Sequence, residues 1–233
     1  MIVAIHQPQY LPWAGYLDKI DRADSFVLLD TVQFKKGEWQ NRNLFKTAQG
    51  PQWITVPVLH DFGQLLKDVL IDPKQSSWAR KHQHGLKTHY GATPHYAWVA
   101  ERLEPIWEKS WEYLAPLNRA TLEAFMDSMG IDTPLQWASR LEPAQEHPDE
   151  RLISICRQLG ADIYLAGAGG PDYMDMELWE EAGIEVIFHD FVHPEYDQPF
   201  GEFLPAMSAV DLLCNCGPES LALLRTTNGR EAP

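Results

Sequence analysis

Short apolar runs closed by polar or glycine-rich turns recur along this chain, and their spacing sets the fold expectation. Ile2-Val3-Ala4-Ile5 is the first, followed by the turn His6-Gln7-Pro8-Gln9-Tyr10-Leu11-Pro12. A continuous apolar run of this length reads as a strand buried on both faces, as in a parallel sheet. Residues 13–21 then place Trp13, Tyr16, Leu17 and Ile20 on one face of a helix. Phe26-Val27-Leu28-Leu29 repeats the buried-strand pattern and ends in the carboxylate of Asp30. Together these segments predict a β-loop-α-β unit.

The middle of the chain reads differently. Residues 43–47 and 53–58 flank Gln49-Gly50-Pro51, a hairpin signal, and residues 65–71 are expected to add a strand. A helical region follows over 76–130, broken near 91–94 and at Ser110, with Trp98, Trp107 and Trp111 read as packing residues. Strand and helix then alternate again: strands at 135–137, 163–166 and 185–188, helices at 149–159, 173–182 and 208–214. This order predicts an α/β fold with a doubly wound, mostly parallel Rossmann-like sheet, into which a β-hairpin and central helices are inserted. One domain is expected over residues 1–225, with a frayed tail at 226–233.

Charge narrows the partners. Lys and Arg number 19 against 33 Asp and Glu, a net charge of −14. Such a surface repels phosphate backbones, so an extended nucleic-acid partner is not expected, whereas a local pocket for one nucleotide is still allowed. No apolar run reaches membrane length, and the N-terminal one is too short for a signal peptide. Cys156, Cys214 and Cys216 are an odd set without a disulfide framework, which suits a reducing cytoplasm. Oligomeric state and cofactor are left open.

In open α/β sheets, ligands bind beyond the carboxyl ends of the strands. That rule selects His6 and Gln7 after the first strand, Asp30 after the second, and Gly167-Ala168-Gly169-Gly170 after the strand at 163–166. The glycine run precedes a helix, so its amides can cradle an anion, although an ordinary turn explains it equally well. The segment from Asp30 to Asn43 is dense in hydrogen-bonding groups with interleaved aromatics. Arg42 offers a planar fork for carboxylate or phosphate, and Gln33, Gln40, Asn41 and Asn43 can orient hydroxyls or amides. No metal is expected: His189, Asp190, His193 and Glu195 lie on a strand exit that does not fix ligand geometry.

The blocks Ile5-His6-Gln7-Pro8-Gln9-Tyr10-Leu11-Pro12-Trp13-Ala14-Gly15-Tyr16, Leu29-Asp30-Thr31-Val32-Gln33-Phe34 and Trp39-Gln40-Asn41-Arg42-Asn43, with Trp53-Ile54-Thr55-Val56-Pro57-Val58, Tyr164-Leu165-Ala166-Gly167 and His193-Pro194-Glu195-Tyr196, resemble the WbqC-like protein family. The resemblance spans nearly the whole chain. It implies an enzyme of surface-polysaccharide or amino-sugar biosynthesis that transfers an acyl, aminoacyl or nucleotidyl group to a sugar or sugar nucleotide. It supplies no catalytic residue to carry over. The opening strand, turn and helix are also similar in layout to nucleotidyltransferases of the His-x-Gly-His type. Trp13-Ala14-Gly15-Tyr16 stands in that position, so both histidines are absent and His6 would have to serve instead, while Ser208 would match those enzymes' later phosphate-binding serine. The resulting expectation makes His6 and Asp30 catalytic. Gln7, Tyr10, Gln33, Asn41, Arg42, Asn43, Gly167, Gly169 and Ser208 would bind a small-molecule substrate, with a sugar nucleotide as the candidate. The alternative is a non-catalytic module that binds a sugar nucleotide for a partner enzyme.

Overall fold

A computed structural model describes residues 1–142 and 146–232. Five parallel strands form the central sheet: β1 (Ile2–His6), β2 (Ser25–Leu28), β7 (Leu135–Trp137), β8 (Ile163–Ala166) and β9 (Glu185–Phe188). Their spatial order is β7-β2-β1-β8-β9. In chain order that is 3-2-1-4-5, the doubly wound arrangement. Register is fixed by pairs such as Ile5 with Val27 and Ala4 with Leu165.

Alternation along these strands builds two cores, because successive side chains point to opposite faces. Ala4, Phe26, Leu28 and Leu165 face the larger core. It also receives α1 (Ala14–Asp21), α3 (Tyr96–Glu108), α4 (Leu114–Met129), α7 (Ala209–Cys216) and α8 (Ser220–Thr227). Val3, Ile5, Val27, Tyr164 and Ala166 face the smaller one, closed by Ile153, Cys156 and Trp179 of α5 (Pro148–Leu159) and α6 (Met176–Ala182). The chain therefore winds along one face from β1 to β7 and along the other from β7 to β9. Right-handed crossovers require this change of face when the direction of winding reverses.

Two small antiparallel pairs are inserted between β2 and β7. β3 (Arg42–Thr47) and β4 (Gly50–Thr55) form the predicted hairpin, with Gly50 at a φ of 102° in the turn. β5 (Val58–Leu59) pairs with β6 (Leu70–Ile71). The strand expected over 65–71 shortens to β6, because residues 66–68 form a 3-10 turn. The helical region divides into α2 (Trp78–Tyr90), α3 and α4, the breaks falling where glycine, proline and serine were read.

The helix expected over 208–214 is α7, and α8 follows it after a 3-10 turn at 217–219. The segment after residue 224 is tied back to α1. Arg225 and Arg230 pair with Asp21 at 2.7 and 2.6 Å, and Arg230 also pairs with Asp18. Charge pairing between distant segments leaves no periodicity in a sequence, so pattern reading misses it.

Cys156 and Cys214 are buried and Cys216 is half-buried. Burial pushes the Cys156 thiol up to about 12 and that of Cys216 to about 11, and raises Cys214 as well. A thiol held protonated is a poor nucleophile. All three are expected to resist a thiol reagent in the native protein and to react fully in denaturant. Rapid native labelling of any one would restore it as a candidate nucleophile.

Candidate functional site

The crevice of a 3-2-1-4-5 sheet lies between its first and fourth strands, here β1 and β8, where the winding reverses. A cleft of about 610 Å³ opens there. His6 and Gln7 at the end of β1, Tyr164 on β8 and Leu152 on α5 form one side. Trp13, Lys35, Glu38, Trp39 and Gln40 form the other.

His6 is half-buried, its ring edge packed against Tyr16 at 5.0 Å between centroids. Its Nδ1 lies 3.0 Å from the Gln7 carbonyl oxygen. A carbonyl only accepts, so Nδ1 carries the proton of the neutral ring and Nε2 keeps its lone pair. Burial, then the nearby Lys19 ammonium, pushes the imidazole down to about 4. At neutral pH His6 is therefore a base. Lys19 lies buried on α1 and donates to the Ile5 carbonyl at 3.1 Å. Burial lowers it to about 7.

The turn that carries the cleft wall is held in an uncommon shape. Leu11 sits at a φ of 44°, in the left-handed region, with its side chain fully buried. Such backbone costs on the order of 1–2 kcal/mol and persists where surrounding bonds over-determine it. Asn43 supplies them, donating from Nδ2 to the Leu11 and Tyr10 carbonyls at 2.8 and 3.3 Å. The Pro12 carbonyl accepts from Ala209 N at 2.8 Å, and Ser208 N donates to the Leu44 carbonyl at 3.0 Å. Gly15 lies beneath the Trp13 indole, which a Cβ there would meet at 2.4 Å. Only glycine lets that ring lie flat against the helix start.

Of the residues selected from the sequence, the cleft gathers His6 and Gln7. Asp30 reaches the same sheet edge but not His6. Its carboxylate accepts from Ser139 N at 2.9 Å and Ser139 Oγ at 2.6 Å, at the β2–β7 side. Arg42 stacks on Trp53, 4.0 Å from the ring centroid, and donates to the Gly37 carbonyl. It stands behind the cleft, since Trp53 in turn packs on Trp39 at 5.1 Å. The Tyr10 hydroxyl is buried between His82 Nδ1 at 2.8 Å and Trp107 Nε1 at 2.7 Å. Asn41 donates to the Val56 carbonyl at 2.9 Å. Gln33 is exposed and bridges Leu65. Ser208 Oγ caps α7, accepting from Val210 N at 3.3 Å. Gly167 and Gly169 lie on the loop after β8, outside the cleft lining. Among the described residues, no group of three or more His, Cys, Asp or Glu side chains is arranged to hold a metal. His189 instead pairs with Asp18 at 2.7 Å.

The sequence pattern of the WbqC-like protein family matches residues 7–223. The chain belongs to that family. It is also 39% identical over 229 residues to an uncharacterized protein of Mycobacterium tuberculosis, covering 96% of this chain and 97% of that one. No solved structure matches it. On this WbqC-like chain, the block from Ile5 to Tyr16 forms the end of β1, the strained turn and the start of α1. The block from Trp39 to Asn43 forms the facing wall and the prop beneath the turn.

Sequence reasoning passed over Gln9 among the wall residues of this WbqC-like cleft. Gln9 is 8% exposed, lines the cleft and leaves Oε1 without a hydrogen-bond partner. Gln40 donates from Nε2 to Gln7 Oε1 at 2.6 Å and accepts from Lys35 N at 2.8 Å, tying the two walls together. Lys19 falls off the helical face of Trp13, Tyr16, Leu17 and Ile20, so the spacing gives no sign that it is buried.

Proposed function

We propose that this WbqC-like protein is a cytoplasmic group transferase acting on a sugar or sugar nucleotide bound in the β1–β8 cleft. The carrying observation is convergence at one switch point. The free Nε2 of a neutral His6 and the unpartnered Oε1 of Gln9 share a cleft walled by Trp13 and Trp39. A cleft of about 610 Å³ suits a small ligand, and its aromatic walls suit a base or sugar ring. His6 would take the proton from an acceptor hydroxyl or amine as that group attacks the acyl, aminoacyl or nucleotidyl donor. The donor's leaving group would depart with the electron pair of the broken bond. A role in surface-polysaccharide or amino-sugar biosynthesis follows from the family resemblance. Among the described residues no helix is long and apolar enough to cross a membrane.

One observation favours a second reading, a non-catalytic module that presents a sugar nucleotide to a partner enzyme. Asp30 is spent on Ser139, and the carboxylate that lines the cleft is that of Glu38, for which no hydrogen bond to His6 is present. Incubation with sugar nucleotides, ATP and amino acids, followed by mass spectrometry, separates the two. A new covalent product is the expected result. Saturable binding without any product would leave the module, and neither binding nor product would overturn both.

A further inference from the structure

Residues 35–41 have a cavity on each side. Lys35, Glu38, Trp39 and Gln40 face the cleft, whereas Lys36 and Asn41 face a second cavity of about 540 Å³. Lys36, Lys74 and Lys81 stand on the wall of that second cavity, and no Asp or Glu does. In a chain of net charge −14, three cations without an acid among them is an unusual local balance. None of the three ammonium groups has an ion-pair partner among the described residues. Asp72 attracts Lys74, but its carboxylate already accepts from Lys74 N at 2.9 Å and Gln75 Nε2 at 2.8 Å.

Two further features bear on the ligand. The N-terminus of the 13-residue α2 opens at this wall, with Ser77 at the cap position making no side-chain cap bond. Its first-turn amides add partial positive charge. Asn41 lies in the lining, 6% exposed, and its Oδ1 has no hydrogen-bond partner while Nδ2 is committed to Val56. The cations and helix end call for a phosphate. The orphaned amide oxygen calls for a donor beside it, as a sugar hydroxyl provides. Trp78 and Pro57 supply apolar surface for the ring.

We propose that this cavity is a second binding site, for a phosphorylated sugar, separate from the cleft at the switch point. It goes beyond the transferase reading and stands whether or not the cleft turns over. The test is calorimetric titration of the full chain with glucose 1-phosphate at low ionic strength, with glucose and inorganic phosphate as controls. Glucose 1-phosphate should bind more tightly than either control and weaken as salt is added. The triple variant Lys36→Gln, Lys74→Gln, Lys81→Gln changes exposed side chains and should keep the fold, checked by circular dichroism. Its affinity for glucose 1-phosphate should fall at least about tenfold, as expected for losing charge-assisted bonds. Trp13→Ala, which removes an aromatic wall of the cleft and touches nothing in this cavity, should leave this affinity unchanged. The proposal is overturned if the wild-type protein does not bind glucose 1-phosphate at millimolar concentration, or if the triple variant binds it normally. It is equally overturned if Trp13→Ala abolishes binding, which would place the ligand in the cleft.

Discussion

His6→Ala is expected to slow turnover about 100-fold or more while ligand affinity changes only a few-fold. The ring's one hydrogen bond runs to the carbonyl of its own neighbour, and its edge packs on Tyr16, so the fold does not hang on it. The proton acceptor is lost, while the aromatic and amide groups that hold substrate stay in place. The pH profile gives an independent reading. The base form exists above the imidazole's value of about 4, so kcat/KM should be flat on its acid side until the pH nears that value, then fall. An acid limb centred near 6.5, the ordinary histidine value, would contradict the buried environment. Steady-state kinetics with whichever sugar nucleotide gives a product, together with binding by calorimetry, measures all three quantities. Normal turnover in His6→Ala would remove the catalytic role.

Asp18→Asn is expected to destabilise the protein by about 3 kcal/mol, lowering Tm by roughly 6–12 °C for a domain of this size. Asp18 is fully buried and its carboxylate meets Arg22 at 2.7 Å, His189 at 2.7 Å and also Arg230. Asparagine keeps the shape but not the charge, so these donors lose their counter-ion together. The estimate sits at the lower end for a broken buried pair because Arg22 and Arg230 are 18% and 25% exposed and recover some hydration. Urea unfolding monitored by tryptophan fluorescence checks it. A Tm within about 2 °C of wild type would mean that solvent replaces the carboxylate at little cost.

The sheet was legible in the sequence because strands buried on both faces leave short apolar runs such as Ile2-Val3-Ala4-Ile5, closed by polar or glycine-rich turns. The breaks between α2, α3 and α4 were legible because Gly91, Pro94 and Ser110 mark them. The position of the site followed from the rule about strand ends, which drew attention to His6 and Gln7. The rule says which edge, not which gap along it. Asp30 and His6 end adjacent strands, yet Ser139 claims the one carboxylate and the cleft opens at β8. Arg42 and Trp39 are three residues apart, but Trp39 lies in the turn before β3 and lines the cleft, whereas Arg42 opens β3 and is held against Trp53. Gln9 was readable only as turn filler. Its orphaned oxygen is a three-dimensional fact.

The backbone at Leu11 sets an order of assembly. Residues 7–13 contain no glycine to favour a positive φ, and the donor that stabilises the bend sits on β3, 32 residues away. Local sequence therefore disfavours the bend until the hairpin has docked. Such distant contacts form late, after the entropy of closing the loop has been overcome. The N-terminal β-loop-α-β unit by itself would thus present His6 on a relaxed turn, with neither Trp13 nor Gln9 held in place. Ligand binding should appear in refolding only with the slowest phase that consolidates the hairpin.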